Sequence, residues 1–241
     1  LLLDYLINAK LRPGTMPANP AALKTIVTTE MVKEVCQRYG VYTVDTFTGF
    51  KFMAEKIAEW EAEESYNCIF AYEESYGYMT GDHVRDKDGV NGAMMIVEMA
   101  QYYKQKGMTL IDALEEIFSR HGIYNAQVKG YNFEGADGME KMKNIMSSLR
   151  QNPLNEIAGY KVVGYADYQS GKRTIDGVES EIGLPLSNIL EYNLENNLKV
   201  IIRPSGTEPK IKAYLTIVTN DREQIPVIAQ NLFAACEEHL K

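Results

Sequence analysis

The sequence predicts two domains: a mixed, mostly parallel α/β/α sheet domain over residues 1–124, and a smaller α+β domain with an antiparallel sheet over residues 125–241. Three observations carry this prediction. The chain has 241 residues, enough for two ordinary domains. Its first half alternates strand-like and helix-like segments, the pattern of a mostly parallel sheet. Its second half places several strand-like runs between two helices, the pattern of an α+β domain.

The elements follow in order. Leu23 to Val27 is a short apolar run, after which Thr28 or Thr29 caps a helix that stops at Gly40. Val41 to Thr46 alternates as a strand, with Val41, Thr43 and Asp45 on one face. After Thr48-Gly49-Phe50-Lys51 comes a helix through Phe52, Met53, Ile57 and Trp60. Asn67 to Tyr72 reads as the next strand, leading into Glu73-Glu74-Ser75-Tyr76-Gly77 and a long loop that ends at Gly89. A Met-rich helix from about Gly92 to Gly107 carries Met94, Met95 and Met99 at helical spacing, read as core packing. Thr109 and Asp112 make a capping box for a helix that fades at Gly122. Beyond the boundary, Tyr131 to Phe133 reads as extended, and Asp137 caps a helix running to Arg150. Strand-like runs follow at Tyr160 to Ala166, Asn188 to Tyr192, Leu198 to Ile202 and Ile211 to Val218. A helix through Ile228, Leu232, Phe233 and Cys236 closes the chain.

Composition narrows the function classes. With 33 acids against 25 bases the formal charge is −8, so a broad nucleic-acid or anionic-membrane surface is not expected, because such surfaces are built from basic stripes. No apolar run is long enough to span a bilayer, and no signal-peptide pattern is present. Cys36, Cys68 and Cys236 are odd in number and far apart, which points away from a zinc site or a disulfide framework and toward a reduced, cytoplasmic setting. The chain opens Leu1-Leu2-Leu3-Asp4-Tyr5-Leu6-Ile7 inside an amphipathic helical pattern. That opening reads as a piece cut from a longer protein rather than a trimmed disordered terminus.

An acidic chain that binds an anion must do so with a few well-placed bases. The richest segment is Arg203-Pro204-Ser205-Gly206-Thr207-Glu208-Pro209-Lys210, between two strands. Arg203 can pair with a phosphate through two N–H groups, Ser205 and Thr207 can donate hydroxyls, and Gly206 lets backbone N–H groups approach an anion. The same residues also make an ordinary hairpin turn, and composition leaves the two readings level. The loops at 48–51 and 73–77 follow directly on strands, so both should leave the carboxyl edge of one sheet, where ligands of α/β folds bind. In the second of them a carboxylate can accept from adjacent hydroxyls, although acidic pairs after strands are more often solvated. Arg85 and Lys87 stand ahead of a helix N-terminus, a natural anion site. Lys51 can equally be a solvated lysine at a helix start. His83 can serve as a proton shuttle or be a surface group; His121 and His239 have no chemical neighbours in sequence.

These segments together resemble the α-D-phosphohexomutases, the superfamily of phosphoglucomutase and phosphomannomutase. "RPSGTEPK" followed by "IKAY" is similar to that superfamily's C-terminal phosphate-binding loop, "EESYG" at 73–77 to its sugar-binding loop, "TGFK" at 48–51 to its third-domain specificity loop, and "RDKDG" at 85–89 to a basic substrate-contacting segment. The resemblance covers essentially the whole chain, as the third and fourth of four domains. Tyr72 departs from the pattern, standing where many relatives have Gly. The resemblance implies substrate contacts from Thr48, Gly49, Lys51, Glu73, Ser75, Arg85 and Lys87, with Lys87 a candidate proton shuttle. It implies phosphate contacts from Arg203, Ser205, Gly206, Thr207 and Lys210. It further implies an intramolecular phosphotransferase in which a phosphoserine donates to the sugar and a divalent ion stabilises charge. Neither a serine in the "TASHNP" context nor a "DGDADR"-like metal loop occurs in this sequence. The expectation is therefore a fragment that holds a small sugar phosphate and is inactive without N-terminal domains, with no metal or cofactor of its own. Mg2+ and a glucose 1,6-bisphosphate activator are expected for the full-length enzyme. A phosphopentomutase, a hexose-bisphosphate synthase and a non-catalytic sugar-phosphate-binding module are the alternatives.

Overall fold

The computed structural model describes residues 1–81, 83–135 and 137–240. The chain forms two compact units of nearly equal length, Leu1–Gly122 and Ile123–Lys241. Among the described residues no helix is long and apolar enough to cross a membrane.

The first unit runs α1 (Leu2–Leu11), β1 (Pro20–Thr25), α2 (Met31–Arg38), β2 (Tyr42–Thr46), α3 (Phe50–Glu63), β3 (Asn67–Glu73), β4 (Gly77–Met79), α4 (Gly89–Gln105) and α5 (Leu110–His121). Its sheet has the order β2-β1-β3-β4. Strand β1 is parallel to both neighbours, and β4 folds back antiparallel on β3. The mostly parallel sheet with helices is the predicted class. Ala21 to Thr25 are completely buried, as a central parallel strand covered on both faces requires. Ala21 and Leu23 pack beneath Phe50, Met53, Ile57 and Trp60, the apolar stripe of α3. The helices α1, α2, α4 and α5 pack against one another.

Strand alternation puts Lys24 on the face opposite Leu23, and this lysine is 0% exposed. Its Nζ lies 2.8 Å from Asp45, its direct partner on β2, and 3.2 Å from Glu30. It also donates to the carbonyls of Thr25 and Thr28 at 3.1 and 3.2 Å. Lys33 meets the same two carboxylates at 2.6 and 2.9 Å. A lone buried ammonium would be strongly unfavourable; two carboxylates and two carbonyls compensate it. Burial pushes the Asp45 carboxyl upward, yet Lys24 and Lys33 outweigh it and hold Asp45 below its ordinary value. Burial likewise opposes the charge on Lys33, and Asp45 and Glu30 overcome it.

Local signals place most of the other elements. The N-cap of α2 is Glu30, without a side-chain cap bond, rather than Thr28 or Thr29; Thr29 Oγ1 accepts the Met31 N–H at 3.3 Å from one residue further out, because the helix begins only at Met31. Asp88 caps α4 through the N–H groups of Val90 and Asn91, at 3.0 and 2.9 Å. The Thr109–Asp112 capping box is complete in both directions. Two further expectations need correction. The expected loop from Gly77 to Gly89 begins instead with a strand: β4 folds back on β3 as a hairpin, pairing Gly77 with Glu73, and is too short, at three residues, to show an alternation. Of the methionines expected in the core, Met99 is buried but Met94 is 60% exposed, since the two sit five positions apart and so on opposite faces of α4.

The second unit runs β5 (Ile123–Asn132), α6 (Gly138–Gln151), β6 (Glu156–Ile157), β7 (Tyr160–Asp167), β8 (Lys172–Ile175), β9 (Val178–Glu181), β10 (Leu190–Leu194), β11 (Leu198–Pro204), β12 (Lys210–Thr219) and α7 (Gln224–Leu240). All its strand pairs are antiparallel, in the order β5-β12-β11-β10-β7-β8-β9, with β6 on β7. Leu190, Tyr192, Val200, Ile202, Ala213 and Leu215 share one core with Met146 of α6 and Leu232 of α7. Strand β5 is ten residues long where only Tyr131 to Phe133 was expected. Its apolar residues are interrupted by Asn125, Gln127, Lys129 and Gly130 and only Tyr131 is buried, so its order comes from pairing along its whole length with β12. The β8–β9 hairpin, also unexpected, turns at Asp176-Gly177, both at positive φ (50° and 80°).

Replacing Lys24 by Met should destabilise the first unit by about 3 kcal/mol, the usual cost of breaking a buried charge network from one side. Urea unfolding followed through Trp60, the only tryptophan, reads this unit directly. Because the folded pKa of Asp45 is depressed, its contribution is present above its unfolded value of about 4 and lost as pH falls below it. Asp45→Asn should therefore flatten the acid limb of the stability profile.

Candidate functional site

Strand β1 is parallel to β2 and to β3, and past a register shift at Ala21/Ala22 its carboxyl end places Thr25 beside Thr46 and Lys24 beside Tyr72. The segments 26–28, 47–49 and 74–76 therefore all leave the carboxyl edge of the first sheet, the edge where such folds bind ligands. Glu73, the last residue of β3, is half-buried. Its carboxylate accepts the backbone N–H of Gly49 and lies against Gly77 and the buried Phe50 ring. A Cβ at Gly77 would stand 2.6 Å from Phe50 Cε2 and 2.8 Å from Glu73 Oε1. Burial, then the charge of Glu74, raise the Glu73 pKa above its ordinary value; Lys87 and the Gly49 N–H oppose them in part. Lys87 Nζ is 5.9 Å from the Phe50 ring centre and 3.2 Å from Asp86 Oδ1. One residue from each of three motifs thus meets around Phe50: Gly49, Glu73 and Lys87. Phe50 itself and Gly77 had no role in the sequence reading.

The tip of the hairpin presents Ser75 and Tyr76 to solvent, with Tyr76 85% exposed and at φ 63°. A bulky residue in the left-handed region costs about 1–2 kcal/mol, so other contacts must hold this turn. Other predicted residues point elsewhere. Lys51 is exposed and faces Glu55 at 3.7 Å along α3. Arg85 pairs with Glu61, which lies about 17 Å along α3 from Phe50, and is not brought to Glu73. Thr48 is half-buried at the start of the same loop as Gly49. His83 leans on the Asp88 cap at 3.4 Å.

In the second unit the loop between β11 and β12 closes through Ser205 N–H to the Lys210 carbonyl at 2.8 Å. Ser205 Oγ accepts the N–H groups of Thr207 and Glu208 at 3.3 and 3.2 Å, which leaves its hydroxyl hydrogen free to donate. Arg203, Ser205 and Gly206 line a cavity of about 780 Å3 with Lys143 and Asn144 of α6 and with Asn188. The three α6 and loop contributors belong to no motif, and only the fold places them there. Asn188 is itself held by Arg150, which pairs with Asp167 at 3.0 Å. Arg203 is half-buried, and among the described residues its guanidinium has no side-chain partner. Thr207 is exposed and does not line the cavity. Lys210 lies across the neighbouring strand instead: a Cβ at Gly130 would meet Lys210 Cε at 2.3 Å. At Gly206 neither a positive φ nor a crowded neighbour demands glycine. Among the described residues no three His, Cys, Asp or Glu side chains are grouped to hold a metal ion, so the donor set for Mg2+ does not fit here.

Known proteins resemble this chain in sequence and in fold. The family profile for phosphoglucomutase/phosphomannomutase, alpha/beta/alpha domain III, matches residues 1–121. Phosphoglucomutase of Staphylococcus haemolyticus is 36% identical over 227 residues, covering 93% of this chain and 40% of that protein. Phosphoglucomutase of Staphylococcus epidermidis is 34% identical over 229 residues, covering 94% and 41%. The chain thus spans about 40% of the length of the curated relatives it matches. Among solved structures, the open form of the Paramecium phosphoglucomutase parafusin aligns at a TM-score of 0.64 with 20% identity, over 99% of this chain and 40% of that one. A phosphoglucomutase/phosphomannomutase family protein of Burkholderia thailandensis aligns at 0.56 with 14% identity, over 99% and 41%. At these identities the structural matches speak for the fold.

The two crowded glycines should respond oppositely to alanine. Gly77→Ala meets the Phe50 ring, which is fixed in the core, and should cost about 1–3 kcal/mol of first-unit stability. Gly130→Ala meets only the flexible end of Lys210, which can swing aside, and should change second-unit stability by less than about 1 kcal/mol. Urea unfolding by Trp60 fluorescence and by circular dichroism, respectively, checks the pair.

Proposed function

Because the chain belongs to the phosphoglucomutase/phosphomannomutase family, we propose that it binds a hexose phosphate for an intramolecular phosphoryl transfer, the reaction of an isomerase-class phosphotransferase. In this reading Glu73 and Ser75 take sugar hydroxyls, and Arg203 with the Ser205 hydroxyl takes the phosphate that is not being transferred.

The observation that carries the reading is Arg203. A half-buried guanidinium without a partner among the described residues is unusual, because partial desolvation of a charge is normally compensated by a carboxylate. Here it lines a cavity together with a hydroxyl and a glycine. A phosphate would accept two parallel N–H bonds from the guanidinium and one from Ser205. Nothing in the fold requires glycine at 206, which suits close approach of a ligand to the backbone. Lys210 and Thr207 would add to the phosphate field only after turning from where they now lie.

In the first unit, an ionised Glu73 accepts from two adjacent hydroxyls while the Gly49 N–H holds its other side. Lys87, near Phe50 and Asp86, is the candidate for moving a proton or meeting the transferring phosphate. The role of this chain is positional: it presents one hydroxyl or the other to a donor group outside it. Charge stabilisation by Mg2+ and activation by glucose 1,6-bisphosphate belong to the full reaction and are assigned to no residue here. Three free cysteines, two of them buried, fit a reducing, cytoplasmic setting.

Calorimetric titration with glucose 1-phosphate, inorganic phosphate and glucose tests the assignment. Arg203→Ala should weaken sugar-phosphate binding at least about tenfold, the usual loss for a charge-assisted contact; unchanged affinity would sink the phosphate assignment. The Glu73 pKa is raised, and the carboxylate is the accepting form. Affinity should therefore decline on acidification at a higher pH than an ordinary glutamate would give, and Glu73→Gln should remove that dependence.

A further inference from the structure

Glu74, beside the residue assigned to the sugar, is engaged with the sheet beneath it. Its Oε2 accepts from the hydroxyl of Thr25 at 3.1 Å and from that of Thr28 at 3.0 Å. Both threonines are buried, at 0% and 3% exposure, and their hydroxyl oxygens lie 2.8 Å apart. The turn that carries them is closed by the Thr28 N–H on the Thr25 carbonyl at 3.0 Å. The buried Lys24 ammonium binds both carbonyls of the same turn. A rigid, buried donor pair therefore grips one carboxylate oxygen of a loop whose next residues, Ser75 and Tyr76, are exposed. The loop needs such a grip, because Tyr76 is held at positive φ and strained turns persist only where their surroundings over-determine them.

We propose that Glu74 is the positioning residue of the candidate sugar loop, its bond to the Thr25 and Thr28 hydroxyls fixing where the Glu73 carboxylate and the Ser75 hydroxyl stand. The bearing of this on sugar recognition rests on the assignment of Glu73 and Ser75 made above; the anchoring itself does not. Glu74 does not touch the sugar in this scheme. It also faces Glu73 as a like charge, together with Asp86, against Lys87 and the Gly49 N–H. Its geometry and its charge can therefore be separated by substitution. In Glu74→Gln the amide oxygen accepts from the same two hydroxyls while the charge is gone. In Glu74→Ala both are lost.

Hydrogen exchange of the full chain, read by mass spectrometry over residues 74–79, tests the anchor. Glu74→Ala and the double variant Thr25→Val/Thr28→Val should speed exchange there about tenfold, with β1 unchanged; Glu74→Gln should stay within about twofold of the parent. In Glu74→Gln the carboxyl of Glu73, followed by carbon-13 NMR, should titrate at lower pH than in the parent, which a purely structural residue would not cause. Unchanged exchange in Glu74→Ala would overturn the proposal. So would an equal rise across β1 and β3, since Glu74 would then support the sheet rather than the loop. Glucose 1-phosphate affinity should fall in Glu74→Ala and hold in Glu74→Gln. If the parent bound no sugar phosphate, the functional assignment would fall while the exchange result still decided the anchor.

Discussion

The first unit depends on one buried ammonium. Lys24 sits at the carboxyl end of the central strand, and its Nζ joins four pieces of chain: β2 through Asp45, the entry of α2 through Glu30, and both ends of the 25–28 turn through their carbonyls. An unpaired charge at that depth would be costly enough to unfold a marginal domain, so the four pieces must arrive together. Lys33 completes the arrangement by bringing the two carboxylates a second cation. A cluster of two bases and two acids has no net charge, which is why it can be tolerated inside a sheet edge. Well-packed apolar residues in place of the whole cluster could give comparable stability, but they would not tie the turn to the helix entry. The turn in turn presents the hydroxyls that hold Glu74, so a feature of the core reaches the loop surface through three bonded steps.

The two units prepare their candidate sites in opposite ways. In the first, the reactive-looking groups are already engaged by the protein: Glu73 by the Gly49 N–H, Glu74 by two threonines, Lys87 by Asp86. Glu73 and Glu74 are thereby held in place before any ligand arrives, which reduces the entropy lost on binding. In the second, the central group is left without a side-chain partner among the described residues. Arg203 lies beside a hydroxyl whose acceptor side is occupied by its own loop, so the loop offers donors outward and acceptors inward. That polarity suits an anion, despite the −8 formal charge of the whole chain.

Glycine serves different ends at three positions. At Gly77 the absent side chain makes room within the protein, letting Phe50 and Glu73 close over the backbone of β4. At Gly130 it makes room for the stem of Lys210, which otherwise would have to leave the sheet. At Gly206 the protein makes no such demand. Three glycines, at the start of β4, within β5 and in the β11–β12 loop, thus report, in order, packing, side-chain routing and access.

Local physics was enough for the class of each half, for the capping of α5, and for the edge from which the loops at 48–51 and 73–77 emerge. Alternation, apolar stripes and caps act over a few residues and are written in the order of the chain. Even so, one short-range signal passed unread, the Asp176-Gly177 turn of the β8–β9 hairpin. The motifs also brought Gly49, Glu73 and Lys87 into view, but not that they meet around Phe50, and not that Arg85 turns to Glu61 and Lys210 to Gly130. A lysine in an apolar run carried no sign that it would be fully buried, because its partners Glu30 and Asp45 come from a loop and from another strand. Strand β5 was hidden for the same reason: its order is borrowed from β12, some eighty residues later. The sequence by itself determined which segments could form helices and strands and which loops carry donors and acceptors. Tertiary structure alone decided which of those groups are engaged and which are left unpaired, because burial and ion pairing depend on neighbours that the chain brings together only when it folds.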